Sequence, residues 1–352
     1  MWPQEHIRLT DMSIQTLAQD LGLSISTVSR ALNGYSDVAP GTRERVVQRA
    51  AELGYRPHPG ARSMKSSKSH AVGVILPMDE RGGPFINALY SSLLGSIAGV
   101  LETHGYTLLV TTHFSASVHD EVNRYEHLIQ SRSVDGFVIV RTLLNDPRVK
   151  LLHDRSVPFV TYGRSQLNFD HPWVDTDNER AFELATQRQI QHGHRCIGLL
   201  NGPGAYTFAK LRRDGYEHAL RQAGIEPKAE WILEGDLTES SGYSLTRRLL
   251  AQAQRPTALI CANDAMAIGA IAACRQHGLQ VGKDMAIMGY GNSDASRYCE
   301  PALTTIDHKV ADNGRHLGQL LLAQLEQQPS AMSSYLEPVD IIARQSDGRV
   351  IS

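Results

Sequence analysis

The sequence predicts an α/β chain in two parts: a three-helix, helix-turn-helix head and two lobes, each a parallel sheet covered by helices. Two short amphipathic segments flank a turn at Gly22. From Ala71 onward, short apolar runs alternate with helical patterns, the mark of parallel strands buried on both faces. The same alternation restarts after residue 178, which makes a second lobe in series with the first.

The head begins with Ser13-Ile14-Gln15-Thr16-Leu17-Ala18-Gln19-Asp20-Leu21. After Gly22 comes Ser24-Ile25-Ser26-Thr27-Val28-Ser29-Arg30-Ala31-Leu32-Asn33, in which Val28, Ala31 and Leu32 fall at i, i+3 and i+4 and give one apolar face. Ser26, Ser29, Arg30 and Asn33 are left on the outer faces, within reach of phosphates and base edges. A turn-rich loop follows, and Thr42 is expected to cap a third helix through Val46, Val47, Ala50 and Leu53 that stops at Gly54. Residues 56–69 read as a Pro/Gly/Ser linker with basic residues. Its plain reading is a flexible tether. Ala61, Arg62, Met64 and Lys65 also fit one helical turn after Pro59, and an apolar side chain on a basic turn is what a minor-groove wedge requires.

In the first lobe, Val72–Pro77, Thr107–Val110, Gly136–Val140 and Pro158–Tyr162 read as strands. Helices between them run through Leu89, Leu93, Ile97 and Leu101, and through Tyr125, Leu128 and Ile129. In the second, a helix from Glu179 to His192 precedes strands at Arg195–Leu200, Ala258–Cys261 and Met285–Tyr290. Its other helices pass through Tyr216 and Leu220, through Leu245 and Leu249, and through Met266, Ile268 and Ile271. Such lobes bind ligands at the carboxyl ends of their strands.

Composition is that of a soluble globular protein, 41% hydrophobic and 20% charged, and no apolar run reaches the roughly eighteen residues needed to span a bilayer. The start of the chain carries no apolar signal core, so a cytoplasmic location is expected. Residues 1–68 hold nine Lys/Arg against six Asp/Glu, whereas the remainder holds 26 against 31. A basic head on an acidic body fits a nucleic-acid-binding module attached to a body that does not touch DNA. Cys196, Cys261, Cys274 and Cys299 lack paired short spacings, so buried free thiols are expected rather than disulfides or zinc.

Six ordered motifs resemble bacterial transcriptional regulators of the LacI/GalR family over almost the whole length. They are Thr27–Gly34, Thr42–Val46, Leu53–Pro57, His192–Gly198, Ala262–Ala270 and Leu303–Ile306. The resemblance implies a dimer on a roughly palindromic operator and a periplasmic-binding-protein-like core that takes a small effector, often a sugar. It implies a head over 1–57, a hinge helix over 58–70, and a core over 71–352. The chain is expected to cross between lobes near residues 173, 304 and 335, giving an N-subdomain of 71–173 with 304–335 and a C-subdomain of 174–303 with 336–352. Positions matching Ile25, Ser26 and Arg30 read bases, while Ser24, Ser29 and Asn33 hold phosphates, with Ser13 and Thr27 beside them. Ala61, Met64 and Lys65 match the hinge, where Met64 replaces the usual Leu.

For the effector, the resemblance points to Arg212 in Lys210-Leu211-Arg212-Arg213 and to Asn263 in Asn263-Asp264-Ala265-Met266. A planar guanidinium can donate to two neighbouring sugar hydroxyls. The plain reading of Asn263 is a helix N-cap, since helical residues follow directly; both roles fit the segment if Asp264 caps the helix and Asn263 faces the cleft. Many sugar-responsive members have Gly-Tyr-Asp-Asp where this chain has Gly289-Tyr290-Gly291-Asn292, so a carboxylate is missing and Asn292 is a partial substitute. Tyr162-Gly163-Arg164 and the run from His171 to Asp177, near the first crossing, are further candidates, and Phe85 and Trp173 are candidate stacking faces. His192-x-His194 suits a helix-to-strand turn better than a metal site, and no nucleophile-elbow or P-loop signature occurs. Neither cofactor nor catalysis is expected. The alternative reading is a small-molecule binding protein whose head serves protein contacts. No heptad tail follows the last lobe, which favours a dimer over a tail-built tetramer.

Overall fold

A computed structural model describes residues 13–32, 34–53, 55, 68–77, 88–113, 118–328 and 333–349. Asn33, Ala61, Met64, Lys65 and Phe85 lie outside the described residues, as does most of the expected hinge. The chain divides into two compact units, Met1–Ser69 and His70–Ser352.

The first unit holds helices α1 (Ile14–Leu21), α2 (Ile25–Leu32) and α3 (Pro40–Glu52). Ser13 caps α1 by accepting from the Thr16 amide at 3.2 Å, and Gly22 ends it at φ 64°, a left-handed turn that glycine adopts without Cβ strain. Leu17, Ala18, Val28, Ala31, Val46 and Ala50 are buried against one another and form a small core. Thr42 does not cap α3. The helix starts at Pro40, whose fixed φ suits the first helical position and whose missing amide needs no partner there.

The second unit carries two six-stranded sheets. The first sheet orders as β11 (Ser334–Glu337), β5 (Trp173–Thr176), β4 (Phe159–Tyr162), β3 (Gly136–Ile139), β1 (Ala71–Pro77) and β2 (Thr107–His113), all parallel. The second orders as β12 (Asp340–Ile342), β10 (Thr304–Asp307), β9 (Ala286–Tyr290), β8 (Ala258–Cys261), β6 (Ile197–Asn201) and β7 (Ile232–Glu234), with β12 antiparallel at its edge. Helices α4 (Ala88–Glu102), α5 (Val118–Gln130) and α6 (Pro147–Asp154) belong to the first lobe. Helices α7 (Asn178–Gln191), α8 (Thr207–Gln222), α9 (Glu239–Leu250), α10 (Asp264–Gln276) and α11 (Asp294–Tyr298) belong to the second.

The crossings fall a few residues later than the sequence places them, because each strand stays in its sheet until its last paired residue. Val174–Thr176 and Leu336–Glu337 pair within the first sheet, and Thr304–Asp307 within the second. After β10 the chain returns to the first lobe as helix α12 (Val310–Leu325), whose Leu317, Leu320, Leu321 and Leu325 join the core around Val72, Leu93 and Val138. The four cysteines are free, Cys261 and Cys274 buried and the other two half-buried. Among the described residues no helix is long and apolar enough to cross a membrane.

Candidate functional site

In the head, α2 presents the polar surface the sequence predicts. Ser24 accepts from the Thr27 amide at 3.1 Å and so caps α2, while its hydroxyl meets those of Ser26 and Thr27 at 2.8 Å. Ile25 is 46% exposed at the start of the helix, so it does not pack within the head. Arg30 is exposed and donates to Asp37 at 3.0 Å. An exposed pair of this kind is weak enough to exchange for another acceptor.

In the second unit, a cavity of about 530 Å³ lies at the carboxyl ends of the strands of both sheets. Strand ends converge there because every parallel strand delivers its following loop to the same edge. Arg212, on α8, lines it. Its Nε donates to Asn178 Oδ1 at 2.8 Å and Nη1 to the Ala262 carbonyl at 2.7 Å. The guanidinium lies 4.0 Å from the Tyr290 ring, 4.6 Å from Phe208 and 5.3 Å from Phe182. Burial draws its pKa below the ordinary arginine value. Behind it, Asn178 Nδ2 donates to Asp175 Oδ1 at 3.1 Å, and Arg164 Nε donates to Asp175 Oδ2 at 2.9 Å. Burial still pushes the Asp175 carboxyl up to about 6.

His308 lies opposite, stacked on Tyr290 at 4.8 Å between centroids. Both its ring nitrogens are buried without a hydrogen-bond partner among the described residues, and burial pulls it down to about 4. Arg141, in the left-handed region at φ 52°, donates from Nε to the Tyr90 hydroxyl at 3.0 Å. Thr142 touches the other lobe: its carbonyl accepts from the Thr207 amide at 2.9 Å and hydroxyl at 3.1 Å.

The predicted residues divide. Arg212, Asn263 and Asn292 line the cavity. Asn263 faces the cavity as expected, but it also takes the capping role expected of Asp264. Asn263 caps α10 by accepting from the Met266 amide at 2.8 Å and donates to the Leu237 carbonyl at 2.8 Å. Asp264 instead accepts from the Ser293 amide and hydroxyl at 2.7 and 2.8 Å and from Thr305 Oγ1 at 2.5 Å. Asn292 spends its side chain on a strut, donating to Asp307 at 3.0 Å and accepting from Arg344 at 2.7 Å. Gly291 sits at φ 134°, a backbone conformation that glycine adopts and that strains other side chains.

Arg164 and Trp173 are not among the lining residues; they pack on each other at 5.7 Å, behind Asp175. His192 and His194 hold the end of the chain, His192 Nδ1 at 2.8 Å from the Asp347 carbonyl and His194 Nε2 at 3.0 Å from that of Gly348. Of the candidate segments near the first crossing, Tyr162, Gly163, Asp175 and Thr176 line the cavity, whereas Tyr90, Arg141, Asn178, Phe208 and His308 line it without having been foreseen. No motif flags them, since what makes them notable is burial, which only the folded chain shows.

A helix-turn-helix head attached to two lobes around a polar-aromatic cavity defines a ligand-responsive DNA-binding protein. The family comparisons agree. Residues 13–58 match the model of bacterial regulatory proteins of the lacI family, and residues 186–346 match a periplasmic binding protein-like domain. The chain is 32% identical over 343 residues to the HTH-type transcriptional regulator AglR of Rhizobium meliloti, covering 96% of this chain and 94% of that one. It is 31% identical to the HTH-type transcriptional repressor CytR of Escherichia coli, covering 96% of each. Among solved structures, the lac repressor dimer bound to operator and an anti-inducer superposes with a TM-score of 0.83 at 28% identity, over 95% of this chain and 98% of that one. The CelR–cellobiose complex superposes with a TM-score of 0.73 at 28% identity, over 95% and 99%. The chain therefore belongs to the LacI family of bacterial transcriptional regulators, with a DNA-binding helix-turn-helix domain and an effector-binding domain.

Proposed function

We propose that the protein is a cytoplasmic repressor that binds a roughly palindromic operator as a homodimer and is controlled by a carbohydrate effector in the cavity. In this reading Arg30, Ser26 and Ile25 read bases, with Ile25 offering apolar contact, and Ser13, Ser24, Thr27, Ser29 and Asn33 hold phosphates. Ala61, Met64 and Lys65 form the hinge wedge. Arg212 clamps the effector beside Asn263 and Asn292, and Arg164 acts through Asp175. The location follows from the DNA partner.

The observation that carries the effector assignment is the environment of Arg212. Its hydrogen-bond partners are neutral and its faces are covered by aromatic rings. Sugars present hydroxyl pairs to a planar donor fork and C–H faces to aromatic rings, so both halves of such a ligand are met. The likeness to a regulator solved with cellobiose supports the same class.

Operator binding followed by fluorescence anisotropy tests the head. Affinity is expected to fall steeply with salt, and Arg30→Ala to lose sequence preference by about 1–3 kcal/mol. Affinity indifferent to salt and sequence would overturn the assignment. A thermal-shift screen of mono- and disaccharides tests the cavity, with Arg212→Ala expected to remove the response.

A further inference from the structure

The cavity holds a second cation that the Arg212 clamp does not explain. Arg141 is half-buried; among the described residues its hydrogen-bond acceptor is the phenol oxygen of Tyr90, and the Tyr206 ring lies 5.8 Å from its guanidinium. Among the described residues it has no carboxylate at ion-pair distance. A guanidinium carries five N–H donors, so among the described residues the Tyr90 phenol leaves several of them without an acceptor.

Arg141 is also placed with care. The Arg148 guanidinium donates from Nη2 to the Arg141 carbonyl at 2.9 Å, and is itself pinned by Asp146 at 2.7 Å and Glu121 at 2.7 Å. Arg148 and Asp146 side chains are 3% and 0% exposed. A buried ion-pair cluster thus fixes the backbone that presents a lightly partnered cation to the cavity, which is preorganisation of a binding group.

A stacked pair of rings separates the two cations. The Arg141 guanidinium lies 5.8 Å from the Tyr206 ring, Tyr206 stacks on Phe208 at 5.5 Å, and Phe208 lies 4.6 Å from Arg212. We propose that Arg141 forms a second effector subsite, and that the effector is a neutral glycoside of at least two sugar rings, one at Arg212 and the next at Arg141. This rests on the carbohydrate reading of the cavity given above. The 530 Å³ volume is ample for two rings and falls in the range of sites for drug-sized ligands, about 300–1,000 Å³. Among the described residues four carboxylates, Asp175, Glu239, Asp264 and Asp294, line the same cavity and disfavour an anionic ligand.

Isothermal titration calorimetry on the full-length protein tests this. The probes are glucose and galactose, then maltose, cellobiose and melibiose, then glucose 6-phosphate. At least one disaccharide is expected to bind about tenfold or more tightly than either of its component monosaccharides. Arg141→Gln is expected to erase that advantage, lowering disaccharide affinity about tenfold or more and monosaccharide affinity much less, and Arg141→Lys to restore part of it. Arg212→Gln is expected to weaken both classes together. Unfolding temperatures near wild type confirm that the variants fold. An advantage that survives in Arg141→Gln overturns the second subsite but leaves the carbohydrate reading intact. Tighter binding of glucose 6-phosphate than of any neutral probe, lost in Arg141→Gln, overturns the neutral glycoside. If no sugar binds the wild type, the carbohydrate reading fails and the subsite with it.

Discussion

Two buried groups in the cavity titrate against each other. His308 is neutral in the folded state down to about 4, below its ordinary value, so folding favours its neutral form. Its contribution is fully present above about 6.5 and is lost as pH falls toward 4, a change approaching about 3 kcal/mol. Asp175 is raised to about 6, so its contribution is complete in acid and is lost as pH rises through 6, by a similar amount. The two slopes oppose each other between pH 4 and 6.5. His308→Gln is therefore expected to make stability fall with rising pH in that window, and Asp175→Asn to make it rise. Urea unfolding at pH 4.5 and pH 7 checks both; slopes of the other sign would show that one of these groups keeps its ordinary pKa. Asp175 falls in a segment the sequence offers as a candidate, but its burial is not legible there, and His308 is not legible at all. Arg212 is, because it sits in a basic run with a family counterpart, but nothing near His308 or Arg141 in the chain announces that folding will desolvate them.

The elements were more legible than the side chains. Strands such as Ala258–Cys261 are buried on both faces and so read as unbroken apolar runs. Edge strands read poorly: Ser334–Glu337 and Asp340–Ile342 mix polar and apolar residues because part of each remains accessible. Helix α3 shows a competition between signals, since Thr42 has capping chemistry but Pro40 begins the helix first. The head keeps its own core, in which Leu17 is fully buried. Leu17→Ala is expected to cost about 2–5 kcal/mol, comparable with what so small a core supplies. Operator binding should then be abolished while the thermal response of the effector domain to sugar is unchanged. Loss of both together would mean that the two units do not fold independently.

At the scale of the whole effector domain, the lobes meet beside the cavity. Thr142 of the first lobe accepts two hydrogen bonds from Thr207 of the second, and Leu143 pairs with Tyr206 as an isolated antiparallel bridge. These contacts hold the lobes in the arrangement that encloses the cavity, so an effector that needs that arrangement gains from them. Thr207→Val removes the hydroxyl bond and retains the amide bond. Effector affinity is expected to fall roughly two- to tenfold, as for loss of one net hydrogen bond, without change in operator affinity measured alone. Unchanged effector affinity would show that closure does not limit binding. This interface was not readable beforehand, because Thr142 and Thr207 are brought together by three chain crossings rather than by any local pattern.

The buried cluster of Asp146, Arg148 and Glu121 has an evolutionary consequence. It anchors the loop through main-chain and salt-bridge contacts that do not involve the Arg141 side chain. The side chain at position 141 can thus vary, among residues that tolerate its left-handed backbone at φ 52°, while its scaffold stays put. A descendant could exchange that side chain for another suited to this backbone and acquire a new effector in a single step, with little penalty in folding. Recognition of the ligand is, in this sense, a replaceable part mounted on a fixed frame.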